Sequence, residues 1–159
     1  MPLAQEMEIV RAYLEVEQLR LGDRLKVEVD IDDACQHVPI PVLSVQPLVE
    51  NAIKHGVARS SEPGYVRIRT YRGAERLFIS VENSGSALPT DAAGTGTGLQ
   101  NVRRRLEICY GSASTLNLTI TPERASAELE IPCADIGLAE ASRLQSQQVE
   151  GPAGEPSAH

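Results

Sequence analysis

A chain of 159 residues with 42% hydrophobic and 23% charged content has the material for one soluble domain with an adequate core. Its formal charge of −7 and its 3% aromatic content, with one Phe and no Trp, speak against a nucleic-acid groove, which needs basic charge and stacking rings. Cys35, Cys109 and Cys133 form no CxxC pair and read as buried or neutral thiols in a reducing compartment, and no apolar run reaches membrane-spanning length.

Leu3, Met7, Val10, Leu14 and Leu21 recur on one helical face, with Ile9, Tyr13 and Val16 widening it, so residues 3–21 are predicted to be a helix. So broad a face suits either cover for the domain's own sheet or contact with a partner. Gly22-Asp23 ends the helix, and residues 26–32 alternate as a half-buried strand. Pro39 and Pro41 punctuate the approach to a second helix, for which Ser44 is the expected N-cap. Val45, Leu48, Val49, Ala52 and Ile53 give that helix its buried stripe, and Glu50, Asn51, Lys54 and His55 share the opposite flank. A carboxylate, an amide oxygen, an ammonium and an imidazole within one turn suit Mg²⁺ and a polyphosphate. The same four residues equally suit a solvated face with a Glu50–Lys54 pair at i,i+4.

Gly56 and the polar run 59–64 form a loop, followed by alternating segments 65–71 and 76–82 with the signature of a β-hairpin. The second runs into Asn83-Ser84-Gly85, then into small and polar residues through Gly98, too long a stretch for a tight turn. A third helix is expected from Gly98 or Leu99, with Leu99, Val102, Leu106 and Cys109 on one face and Gly111 as its C′ glycine. Residues 115–121 and 127–131 read as a final antiparallel pair. The composition then becomes linker-like, so residues 1–133 are taken as the domain and 134–159 as a flexible tail. Helix, strand, helix, two strands, helix, two strands makes an α+β two-layer sandwich: a mixed, mainly antiparallel five-stranded sheet with helices on one face.

Gly94-Thr95-Gly96-Thr97-Gly98-Leu99 opens a helix, and alternate glycines there let backbone N–H groups approach a phosphate. It is neither a Walker A loop nor a dinucleotide turn of GxGxxG spacing. A flexible glycine loop is the other reading of this stretch, as a simple turn is for Asn83-x-Gly85. An Asn at a strand end can donate to and accept from a purine edge, with a glycine beside it leaving room for a ring.

Taken together, Glu50-Asn51-xx-Lys54-His55-Gly56, Asn83-x-Gly85 and Gly94-x-Gly96-x-Gly98-Leu99 resemble the N, G1 and G2 boxes of the ATPase and kinase superfamily that includes gyrase and sensor histidine kinases. Tyr13-Leu14-Glu15-Val16-Glu17-Gln18-Leu19-Arg20, Gln46-Pro47-Leu48-Val49-Glu50-Asn51 and Gly98-Leu99-Gln100-Asn101-Val102-Arg103 look like LytS-type sensor histidine kinases, over roughly residues 3–132. The resemblance implies ATP and Mg²⁺ as cofactors. Asn51 would ligand the metal, Glu50 would act catalytically by polarising a water or supporting the metal, and Lys54 and His55 would face phosphates or ribose. Asn83 stands where the superfamily usually has an Asp that accepts from the adenine amino group, and Gly85 would admit the base. Thr95, Gly96, Thr97, Gly98 and Leu99 would line the phosphate side, with residues 86–95 as a mobile lid. Ala87 replaces a glycine usual in the G1 box.

The same resemblance implies partners: a phosphoacceptor His segment of a dimeric parent kinase upstream of this chain, and a response regulator downstream. Of His37, His55 and His159, none sits on a segment resembling the acceptor helix, so the chain is expected not to autophosphorylate alone. Cytoplasmic placement is expected, without direct membrane contact by this domain; the sequence leaves open whether the parent is membrane-anchored. A degenerate nucleotide-binding scaffold without phosphotransfer, and an ATPase of the topoisomerase, chaperone or mismatch-repair kind, are the competing readings.

Overall fold

The computed structural model describes residues 1–85 and 96–133; the expected lid at 86–95 and the expected tail at 134–159 lie outside them. Helix α1 (Leu3–Leu21) is followed by strand β1 (Leu25–Asp30), helix α2 (Gln46–Asn51), strands β2 (Gly64–Arg72) and β3 (Arg76–Ser84), helix α3 (Gly96–Tyr110), and strands β4 (Thr115–Ile120) and β5 (Arg124–Pro132). The strands form one sheet in the order β1-β2-β3-β5-β4. β1 runs parallel to β2, which needs a crossover, and α2 supplies it; every other pairing is antiparallel.

Alternation along the strands decides the layers. Val66 and Ile68, Leu77, Ile79 and Val81, and Leu129 and Ile131 are buried on one face, beneath the helices. Their neighbours form a solvated face, where Arg67 meets Glu28 at 2.6 Å and Glu82 at 3.4 Å. Such surface pairs specify register more than they stabilise. From the helical layer come Leu3, Met7, Val10 and Leu14 of α1, Leu48 and Val49 of α2, and Leu99, Val102 and Leu106 of α3. The two-layer architecture therefore follows from the binary pattern of the strands and the stripes of the helices.

Four local expectations change. Ile9, Val16 and Leu19 are exposed, so α1 carries a second apolar stripe facing away from the core and not one broad face. Ser44 is not the N-cap of α2: its Oγ donates to the Pro41 carbonyl at 2.5 Å, and Val45 takes the cap position with no side-chain cap bond. Cys109 is exposed, and half-buried Tyr110 continues the core face of α3 instead, with Gly111 in the left-handed conformation just beyond at φ 58°. Strand β1 stops at Asp30, because the Asp32 N–H donates to Thr70 Oγ1 at 3.1 Å and the Asp32 side chain caps the turn Asp33–Cys35.

Ile79, in the middle of β3, is 1% exposed and paired with Leu129. Ile79→Ala is expected to cost about 2–5 kcal/mol, read as a lowered urea midpoint at unchanged slope.

Candidate functional site

The site begins with how α2 continues. After Asn51 the helix widens into a π turn, Ala52–Gly56, before a 3₁₀ turn, Val57–Arg59. A π turn inserts an extra residue per turn and shifts every side chain after it. The expected Glu50–Lys54 pair is not formed; Glu50 Oε1 accepts from Gln46 Nε2 at 3.1 Å. Lys54 is exposed and His55 half-buried. Asn51 carries a buried Oδ1 with no hydrogen-bond partner. An unpaired buried carbonyl oxygen costs free energy unless something else supplies a positive charge or a donor.

Strand β3 brings up the facing wall. Asn83, 4% exposed, donates from Nδ2 to the carbonyls of Ser84 at 2.9 Å and Gly85 at 3.3 Å. Two carbonyls against one amide fix its orientation: nitrogen inward, leaving Oδ1 as the available acceptor. Gly85 turns the chain with φ 85°, and its N–H donates to the Glu123 carbonyl at 2.8 Å. A side chain there would be strained, so the glycine is required by conformation as well as by space.

Gly56 joins the two walls. A Cβ on Gly56 would lie 2.2 Å from Asn83 Nδ2, far inside van der Waals contact. The missing side chain is what lets the π turn close onto β3.

Asn51 and Asn83 consequently line one slot, together with Leu48, Ala52, Leu118 and Ile120. It is narrow, about 20 Å³, room for little more than a water, so a planar base enters only if the walls part. A roomier hollow of about 360 Å³ lies between the far end of α3 and the start of β4, lined by Arg103, Glu107, Ser112 and Thr115. None of the candidate cofactor-binding or metal residues lines it, and its lining carries no unpaired buried acceptor, so chemistry and not size picks out the slot. Among the described residues no three His, Cys, Asp or Glu side chains gather as a metal centre. The donor set thus fits a hard cation held by one protein oxygen, with waters and phosphates completing the shell, as Mg²⁺ prefers.

Glu50, Lys54, His55 and Gly98 do not line the slot. Gly98 is at the start of α3, where its Cβ would come 3.9 Å from Pro47 Cβ, so this helix N-terminus abuts α2. Leu99 is 5% exposed and packs in the core, leaving only its backbone toward the site. Gly96 and Thr97 supply backbone to the first turn of α3, and Thr95 is outside the described residues. Behind Glu50, the Tyr13 hydroxyl is buried without a partner; burial first, then the charges of Glu17 and Glu50, push its pKa up to about 12. The β4 and β5 residues of the slot, and the role of Gly56, were not visible in the sequence. Only strand pairing across long separations brings them in.

Two outcomes follow. Gly56→Ala is expected to cost roughly 1–3 kcal/mol in chemical denaturation, because the new methyl must push Asn83 aside. His55 is held below the ordinary imidazole pKa by burial, then by Arg59 and Lys54. It is therefore neutral at pH 7, and as pH falls below about 6.5 the unfolded chain takes up that proton first. The His55 contribution to stability should decline as pH drops through that window, and its NMR titration midpoint should lie below 6.5.

No family model matches the chain. It is 33% identical over 142 residues to the sensor protein LytS of Staphylococcus haemolyticus and 32% over 136 residues to the sensor histidine kinase YesM of Bacillus subtilis, covering 82% of this chain in each case. The sensor histidine kinase BtsS of Escherichia coli is 31% identical over 121 residues, 76% of this chain. The chain spans about a quarter of the length of these relatives, 24%, 24% and 22%. Among solved structures, the catalytic domain of the histidine kinase ThkA superposes with a TM-score of 0.65 at 18% identity, covering 84% of this chain and 94% of that one. The histidine kinase domain of a blue-light activated kinase from Erythrobacter litoralis gives 0.59 at 21% identity, covering 85% and 67%. By sequence the chain belongs to the LytS- and YesM-type sensor histidine kinases, and its fold is that of the solved ThkA catalytic domain.

Proposed function

We propose that this chain is the ATP-binding catalytic unit of a two-component sensor kinase, transferring the γ-phosphoryl of Mg-ATP to a histidine held on another segment. The observation that carries the reading is the slot lined by buried Asn83 and half-buried Asn51, whose buried Oδ1 has no partner. Asn83, its nitrogen committed inward, offers Oδ1 to the exocyclic amino group of adenine. A neutral amide oxygen is a weaker acceptor than the carboxylate usual in this superfamily, which lowers the contribution of that contact. Asn51 Oδ1 would hold Mg²⁺.

Mg-ATP supplies the phosphoryl group and the metal charge that offsets the developing negative charge. The chain's own groups position it. Backbone N–H groups of Gly96, Thr97 and Gly98 at the α3 N-terminus, with that of Leu99, would face phosphate, and Thr95, outside the described residues, is assigned to the same side by sequence alone. Lys54, free in solvent, adds a cation. Neutral His55 can donate one hydrogen bond toward phosphate or ribose without a second positive charge. Glu50, oriented by Gln46, polarises a water or supports the metal. The walls of the slot part on binding.

The wider role rests on the relatives. A ThkA structure contains that kinase in complex with the response regulator TrrA. A response regulator downstream is the corresponding partner for this chain, and the phosphoacceptor segment would belong to a dimeric parent. Among the described residues no helix is long and apolar enough to cross a membrane. The working unit is residues 1–133, with 134–159 a tail, acting in the cytoplasm without nucleic acid or direct membrane contact.

Calorimetry with ATP at millimolar Mg²⁺ should give saturable binding, and Asn51→Ala should abolish most of the Mg²⁺-dependent gain at unchanged thermal midpoint. Silence in the wild type would overturn the nucleotide reading. With γ-labelled ATP and an added acceptor segment, an acid-labile, alkali-stable label should appear on the acceptor. Glu50→Gln should reduce that labelling about 10²-fold or more while leaving nucleotide binding in place.

A further inference from the structure

The start of α2 is held in a way that no local side chain explains. Val45 caps the helix without a side-chain bond, and the expected cap Ser44 is turned back to Pro41. The partner for the helix start comes instead from α1. Glu6, 1% exposed, accepts the Val45 N–H at Oε2 over 3.1 Å, while the N–H groups of Ser44, Gln46 and Leu43 point at the same carboxylate from further off. Four successive N–H groups aimed at one anion form a backbone nest. Leu43, at φ 59° the only non-glycine with positive φ among the described residues, is the residue that bends the chain into it.

The opposite side of the same turn is held from α3. Arg105 Nη1 donates to the carbonyls of Val42 at 3.3 Å and Leu43 at 3.1 Å. Glu6 therefore takes the N–H side of the turn and Arg105 the C=O side. Glu6 Oε1 is buried without a bond of its own, and burial pushes the carboxyl above its ordinary range. A buried charge with one good hydrogen bond is a poor stabiliser, which leaves its presence to be explained by what it positions.

We propose that Glu6 and Arg105 are positioning residues for the nucleotide site, clamping the 42–46 turn from both sides. They fix where α2 starts and hence where Asn51 stands against the N-terminus of α3. The turn leads directly into Gln46, which orients Glu50, and Pro47, which abuts Gly98. α1, α2 and α3 thereby share one polar junction, and a shift of the turn moves the metal-side oxygen relative to the phosphate-side amides. The proposal rests on the nucleotide reading of the slot.

The test compares the full chain with Glu6→Gln, Arg105→Gln, Arg105→Lys and the double Glu6→Gln/Arg105→Gln variant. Calorimetric ATP affinity is measured with and without Mg²⁺, beside the thermal midpoint. A Gln at position 6 keeps one oxygen for the Val45 N–H but removes the negative charge that the neighbouring N–H groups face, so Mg-ATP affinity should fall about tenfold, as for a lost outer partner of a metal ligand. Metal-free ATP affinity and the thermal midpoint should move little. Arg105→Gln should act in the same direction, Arg105→Lys should restore part of the loss, and the double variant should lose less than the product of the singles, since both act on one turn. Ile108→Ser, 75% exposed on the same helix, is the control without effect. If Glu6→Gln fails to fold, Arg105→Gln, with its guanidinium at the surface, carries the test. Equal losses with and without Mg²⁺, tracking the thermal midpoint, would mean ordinary structural residues and overturn the clamp, as would unchanged affinity. No binding by the wild type would overturn the nucleotide reading instead.

Discussion

The structure depends on the close approach of the π turn of α2 to the end of β3, which the absence of a side chain at Gly56 permits. Asn83 is buried because that turn covers it, and the slot exists because Asn51, one helical step earlier, is carried to the same place. Helix and sheet would pack without this contact, since the apolar layers of α1, α2 and α3 are sufficient to cover one face. They would pack further apart, and the two amides would not share a wall. Close packing transmits sub-ångström changes, so one methyl at position 56 acts on the site and not only on stability.

Polar order in this domain is imported across elements more than supplied locally. α2 is only six residues long before it widens, too short to hold itself by propensity. Its start is set by Glu6 from α1 and Arg105 from α3, at the cost of a left-handed Leu43, about 1–2 kcal/mol of local strain. Its middle is set by Gln46 on Glu50 and its end by Asn83 against Gly56. The Asn51 oxygen at the end of α2 is buried without a partner and lines the slot, and the Tyr13 hydroxyl on α1 is likewise unpaired. An unpaired buried acceptor in the wall of a slot is what a site needing a further ligand presents.

Narrowness of the slot and exposure of Lys54 belong together. The slot is narrow and Lys54 is exposed, so on the proposed reading binding draws on the free energy of opening the walls and of desolvating Lys54. The proposed function then implies modest affinity for nucleotide, to which a neutral Asn83 in place of a carboxylate would contribute. Modest affinity suits a unit whose product must leave.

The sequence by itself determined the layers. Alternation in β2, β3 and β5 and the stripes of α1, α2 and α3 dictate which faces are buried, because burial of apolar area dominates and has a fixed period in each element. The boxes around Asn51, Asn83 and Gly98 were equally legible, since their spacing and wording are local. Only tertiary structure decided the rest. Ser44 has the chemistry of an N-cap, but a buried carboxylate 39 positions away offers the backbone a charged partner and wins. Ile9 and Val16 have core hydropathy, yet one side of α1 already meets the sheet and its opposite side cannot. The approach of Gly56 to Asn83 was invisible because a glycine announces only that space or conformation is needed. Which atom fills that space depends on β3 pairing with β2 and β5 far along the chain.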